Sequence, residues 1–205
     1  VGKSTVMVQY IKLYFSADDR HVLYCSADTN YFTTHTLVDT ADKFCKIGGR
    51  YLFIDEIHKY ENWSREIKEI YDLHRELHIV ISGSSLLQIN DGHSDLSRRL
   101  TEYQMSGLSF REFMCMMTGV NIEPIELSSL LNSPNLFCQE VKRHFHPLEY
   151  FHLYLKEGYY PFYFENKKMY NNVIENVINY IVDNQLTMFR GLEVGNSRRI
   201  KALLQ

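Results

Sequence analysis

Residues 51–58 read YLFIDEIH, in which four apolar positions, Tyr51 to Ile54, run directly into Asp55 and Glu56. A short apolar run stopped by polar residues predicts a strand buried on both faces, the kind found in parallel sheets. In open α/β folds, ligands bind beyond the carboxyl ends of such strands. The run thus predicts a strand that delivers an acidic pair to the edge where chemistry takes place.

The flanking sequence repeats the theme. HVLYCSAD gives a short apolar run from Val22 to Cys25, and HIVIS gives another, broken by Gly83. Between the runs, Leu37, Val38, Ala41, Phe44 and Cys45 follow helical spacing up to Gly48-Gly49, which closes that helix. Ile67, Ile70, Tyr71, His74 and Leu77 do the same from Ser64 onward. After Lys3, Val6, Tyr10 and Leu13 mark one helix face and Met7, Ile11 and Tyr14 another, which predicts a helix covered on several sides. Strand and helix alternate to about residue 85, the pattern of a parallel sheet with helices on both faces.

The chain opens VGKST, and Gly2, Lys3 and Ser4 fill the last three positions of the phosphate-binding pattern G-x-x-x-x-G-K-[ST]. On this reading the motif's first glycine and its strand fall before Val1, and the chain is a fragment beginning inside its own loop. Gly-Lys-Ser alone is weak evidence, because all three residues are common. FIDEIH strengthens it by supplying a Walker B pattern to match this partial Walker A. Backbone N–H groups at a helix N-terminus hold phosphates, aided by the helix dipole. Lys3 would place a positive charge on the β- and γ-phosphates, and the Ser4 hydroxyl is a hard ligand for Mg²⁺. Asp55 would hold the same ion through a bound water. Glu56 would polarise a water in line with the γ-phosphate. Ser82, at the tip of the third strand, is placed to sense that phosphate.

Composition narrows the field without naming a function. The 205 residues are 45% hydrophobic and 23% charged, with a formal net charge of −3. That is ordinary for a globular chain and gives no support to general nucleic-acid binding. No apolar run reaches the ~20 residues needed to span a bilayer. Cys25, Cys45, Cys115 and Cys138 lack C-x-x-C or zinc-finger spacing, which points to free thiols in a reducing, cytoplasmic setting. His144 and His146 near Cys138 have no second ligand pair. Lys167-Lys168 and Arg198-Arg199 read as solvated helix ends.

The character changes after Ser85. TEYQMSG, residues 101–107, suggests one more short strand, and LSFREFMCMM begins a helix. Residues 121–135 read as loop. YNNVIENVINYIVDNQL carries a continuous apolar stripe from Tyr170 to Val182, and NSRRIKALLQ opens a last helix. These features divide the chain into a core over 1–120 and a mostly helical lid region, or the start of a further domain, over 121–205.

Four stretches together resemble the AAA-type P-loop ATPase domain of a large prokaryotic family related to the archaeal ATPases. They are VGKST; LFIDEIHKYENWSREIKEIYD; VISGSSLL with LSRRLTEYQMSGLSFREFM; and EGYYPFY. Members usually carry a C-terminal domain of uncharacterised function. The resemblance implies a P-loop NTPase sheet in the order 5-1-4-3-2, whose first strand this chain lacks, followed by a helical lid. It implies ATP and Mg²⁺, in keeping with the absence of an Asn-Lys-x-Asp guanine signature. Gly2, Lys3, Ser4 and Thr5 take phosphate binding, Ser4 and Asp55 the metal, Glu56 the general-base role and Ser82 the sensor role. Arg99 matches the arginine of a Ser-Gly-Arg stretch and becomes a candidate for transition-state charge, in its own or a neighbour's site. Arg98 stands where that glycine is usual, and Leu108 where a proline usually precedes Ser109-Phe110.

The expected function is ATP binding and Mg²⁺-dependent hydrolysis that drives or gates interaction with a protein partner or a second copy. The alternatives are a nucleotide-dependent switch with little turnover and an inactive fragment of such an ATPase.

Overall fold

The computed structural model describes residues 2–83, 96, 98–185 and 199–203. It separates into two compact units, Gly2–Met105 and a second beginning at Ser106. In the first, α1 (Lys3–Tyr14) leads to β1 (Val22–Ser26), α2 (Leu37–Lys46), β2 (Tyr51–Asp55), α3 (Trp63–Leu73) and β3 (His78–Ile81). The three strands form one parallel sheet in the order β1-β2-β3. Val22 is level with Tyr51, Ser26 with Asp55, and Tyr51 with His78. This is an α/β, P-loop NTPase-type fold, and its strand order matches the 4-3-2 part of the expected sheet.

Strand pleating sends alternate residues to opposite faces. Leu23, Cys25, Leu52, Ile54, Ile79 and Ile81 pack with Leu37, Ala41 and Phe44 of α2 and Trp63, Ile67 and Ile70 of α3. Both helices present residues at i, i+4 and i+7, one stripe each. A fully buried side chain such as Ile70 contributes about 1.5–3 kcal/mol by leaving water. Thr36 caps α2 by accepting from the Asp39 N–H at 3.0 Å. Gly48, at φ 94°, ends it in the left-handed conformation that glycine alone adopts without steric cost. Glu66 of α3 reinforces the same start, accepting from the Leu37 and Val38 N–H groups at 2.8 and 3.3 Å.

The opposite sheet face meets aromatic rings. Phe15 lies 4.9 Å from Tyr51, and Tyr10 of α1 lies 6.1 Å from Phe53, centre to centre. The expected all-round cover of α1 is absent among the described residues. Met7 is its one buried side chain, while Val6, Tyr10, Leu13 and Tyr14 are exposed.

In the second unit, α4 (Phe110–Thr118), α5 (Leu127–Asn132), α6 (Pro134–His144), α7 (Pro147–Glu157) and α8 (Tyr170–Tyr180) follow in turn. A capping box starts α4: the Ser109 N–H donates to Glu112 at 2.7 Å and the Glu112 N–H to Ser109 Oγ at 3.3 Å. Phe113, Met114, Val141, Phe145, Tyr163 and Tyr170 form the core of this unit. The Tyr154 hydroxyl donates to the Leu108 carbonyl at 2.8 Å. Because α4 packs with these later helices, the compact units divide at 105/106, whereas the sequence reading places the division at 120/121.

Residues 101–107 form no strand, and Tyr103 in their middle is 88% exposed. The stretch read as loop over 121–135 contains α5. The apolar stripe from Tyr170 leaves α-helical geometry after Tyr180 and continues as a wider turn over Ile181–Gln185. Residues 84–95 and 186–198 fall outside the described residues, and with them go part of the third resembling stretch and the start of the last helix. No helix among the described residues is long and apolar enough to cross a membrane.

Candidate active site at the carboxyl edge of the sheet

The ladder of the sheet continues past the strands it defines. The Ala27 N–H donates to the Asp55 carbonyl, the Ser82 N–H to the Ile54 carbonyl and the Ile57 N–H to the Ser82 carbonyl, each at 2.9 Å. Asp55 and Ser82 are therefore fixed by backbone pairing as well as by their side chains. They are also buried, at 4% and 7% exposure, as no other polar or charged residue is among those described.

Asp55 is the hub. Its Oδ2 accepts from the Tyr24 hydroxyl at 2.8 Å, and its Oδ1 accepts from the Glu56 N–H at 3.0 Å and from the Ser82 hydroxyl. The Ser4 hydroxyl, from the first turn of α1, lies near enough to the same carboxylate to lower its pKa. Burial pushes the carboxyl group's pKa up, but the hydroxyls of Ser4, Ser82 and Tyr24 with the Glu56 N–H outweigh it and leave it below the usual aspartate value. Asp55 is thus ionised at neutral pH, held by neutral donors.

Glu56 has φ 52° and ψ 36°, a left-handed conformation and the one positive φ outside glycine among the described residues. A twist of this kind in a non-glycine residue is uncommon and concentrates at functional sites. Its carboxylate is partly exposed and lies 3.5 Å from His58 Nε2. Burial lowers the His58 pKa; Glu56 opposes that shift, and Lys59 and Lys3 add to it. Lys3 is therefore close enough for its charge to be felt at this cluster.

Gly2 caps α1 at φ 87°, and a Cβ there would approach Met105 Cε to 3.2 Å. The first N–H groups of a helix have no intrahelical acceptor, so the start of α1 keeps donors for an anion. Thr5, assigned with Gly2, Lys3 and Ser4 to phosphate binding, is exposed on α1.

The fold gathers Ser4, Asp55, Glu56 and Ser82, with Lys3 nearby, and does not gather Arg99. Arg99 Nε and a terminal nitrogen donate to the two carboxylate oxygens of Asp72, at 3.1 and 3.2 Å. Asp72 lies near the end of α3, which runs back from the carboxyl edge towards the start of β3. Arg98 is exposed. Tyr24 and His58 are the residues that motif reading passed over. Tyr24 reads as one more member of an apolar run, and only the parallel register, with Ser26 level with Asp55, places its phenol below that carboxylate.

A relative from Methanocaldococcus jannaschii, described as an uncharacterized protein, is 27% identical over 141 residues. The match covers 65% of this chain and 29% of that protein, so the chain spans less than a third of its relative's length. No solved structure matches the chain. A family described as "AAA domain" matches residues 1–114, more than half of the sequence, and those residues include every side chain of the cluster. The chain belongs to that AAA domain family, and its first unit is a nucleotide-binding domain of the P-loop ATPase type.

Proposed function

We propose that this domain binds ATP with Mg²⁺ and hydrolyses it. The observation that carries the reading is Asp55, a buried, ionised carboxylate whose hydrogen-bond partners are all neutral. A carboxylate paired with an arginine has its charge answered; this one leaves a negative charge for a cation at the sheet edge where ligands bind. Its surroundings, the Ser4 hydroxyl, the Ser82 hydroxyl and the carboxylate itself, are hard oxygen donors that suit Mg²⁺ rather than a soft metal.

Magnesium bound there would supply positive charge to offset the negative charge that develops on the phosphate during transfer. The chain's own groups do the rest. Lys3 and the N–H groups at the start of α1 orient the phosphates. The Ser4 hydroxyl would hold the metal, and the Asp55 carboxylate would hold it with Ser4, through a bound water. Glu56 accepts the proton of the attacking water. Ser82, tied to both Asp55 and the Glu56 N–H, reports the γ-phosphate to that base. Arg99, engaged with Asp72, takes no part in its own chain's site in this reading.

A second reading, a nucleotide-gated switch with slow turnover, is favoured by the position of the Glu56 carboxylate beside His58. In that case the states with ATP and ADP differ in affinity for a protein partner, and hydrolysis resets the switch. Phosphate release by the full-length protein, measured with Mg²⁺ and with EDTA, tests the first reading. Turnover that requires Mg²⁺ and collapses in Glu56→Gln supports it; turnover indifferent to both overturns it. Partner affinity that differs between ATP and ADP, with slow basal turnover, selects the switch.

A further inference from the structure

Two of the three donors to Asp55, the Ser82 hydroxyl and the Glu56 N–H, belong to residues already assigned to the nucleotide. The third, the Tyr24 hydroxyl, has no such assignment and donates to Oδ2 at 2.8 Å. The register explains how it gets there. Tyr24 is level with Phe53, two positions short of Ser26 and Asp55 and on the same sheet face. Two strand residues span about 6.6 Å, a distance a phenol bridges and a serine or threonine does not. We propose that Tyr24 is a positioning residue for the metal-binding carboxylate, fixing Asp55 Oδ2 so that the carboxylate keeps one orientation towards a metal-bound water.

The chemistry of the donor matters as much as its reach. An arginine or lysine at this place would hold Asp55 equally well but would cancel the charge that attracts the cation. A phenol holds it and leaves the charge in place. Removing an outer hydrogen-bond partner of a metal ligand typically lowers metal affinity 10–100-fold.

The proposal rests on the Mg²⁺-nucleotide reading, so its test has two arms. In the first, ADP binding to the full-length protein is measured by calorimetry across a Mg²⁺ titration. Tyr24→Phe is expected to raise the half-saturating Mg²⁺ concentration about tenfold. ADP affinity and turnover at saturating Mg²⁺ should stay within about twofold, because the phosphate-binding groups are untouched. Tyr51→Phe removes a hydroxyl from the same face at the far end of β2 and should shift nothing. In the second arm, hydrogen exchange of the Glu56 N–H, which donates to Asp55, is followed without nucleotide. It should speed up about tenfold in Tyr24→Phe, the effect of losing one bond to a charged group. An unchanged Mg²⁺ midpoint, or a shift that Tyr51→Phe reproduces, overturns the proposal. If the wild type shows no Mg²⁺-dependent ADP binding, the nucleotide reading fails by itself. The exchange arm then decides alone: faster exchange sustains the hold of Tyr24 on Asp55, and unchanged exchange overturns it.

Discussion

The two ends of one small sheet treat their carboxylates in opposite ways. At the amino end, Glu76 pairs with Arg50 and Asp72 with Arg99, and Asp42 shares a hydrogen bond with His74 at 2.5 Å. At the carboxyl end, Asp55 meets two hydroxyls and an N–H, with the Ser4 hydroxyl nearby. The amino-end pairs are partly exposed, where solvent screening keeps such contacts weak. The carboxyl-end acid is buried, where an unanswered charge is felt strongly. The first arrangement closes a structure and the second leaves it able to receive a cation.

The largest test of this contrast is at the carboxyl end. Glu56→Gln should lower the rate of ATP hydrolysis by about 10²–10⁴-fold, the usual share of a general base, while ATP affinity by calorimetry changes little. Asp55→Asn should abolish the Mg²⁺ dependence of nucleotide binding without unfolding the protein, since the amide oxygen can still accept from neighbouring donors. Retained Mg²⁺ dependence would erase the difference between the two ends.

Acid separates them next. The Asp55 pKa is depressed in the folded state, so its contribution to stability is present above the ordinary aspartate value and is lost as pH falls through the folded value. Urea unfolding of the wild type should weaken as pH falls below the ordinary aspartate value, and Asp55→Asn should remove part of that slope. The smallest effect belongs to the amino end. Arg99→Ala should cost at most about 1 kcal/mol in the same unfolding measurement, consistent with a pair about one-third exposed, and leave nucleotide binding alone. Loss of turnover at unchanged stability would instead place Arg99 in a neighbour's site.

Sequence made the carboxyl end legible because its residues occupy fixed places relative to apolar runs. FIDEIH and HIVIS each predict a strand and, one residue later, a polar tip; the structure places Asp55 and Ser82 there, with β2 buried and β3 exposed at His78 and Val80. Tyr24 was hidden for the same reason. A tyrosine inside an apolar run is indistinguishable from filler until the pleat and register say which face it takes. Arg99 drew attention through a motif, and its contact with Asp72 is set by tertiary packing that a motif does not encode. Residues 101–107 alternate Tyr103 and Met105 with polar neighbours, yet alternation makes a strand only where another strand is there to pair. LSSLLN, by contrast, looked like loop because serine and asparagine interrupt it, and it folds as α5.

The left-handed backbone at Glu56 sets activity against robustness. A glutamate in that conformation costs on the order of 1–3 kcal/mol that a glycine would avoid. Glu56→Gly is therefore expected to raise the thermal midpoint of the protein while removing the proposed general base. The position would then be one where selection for turnover keeps a residue that selection for stability alone would discard.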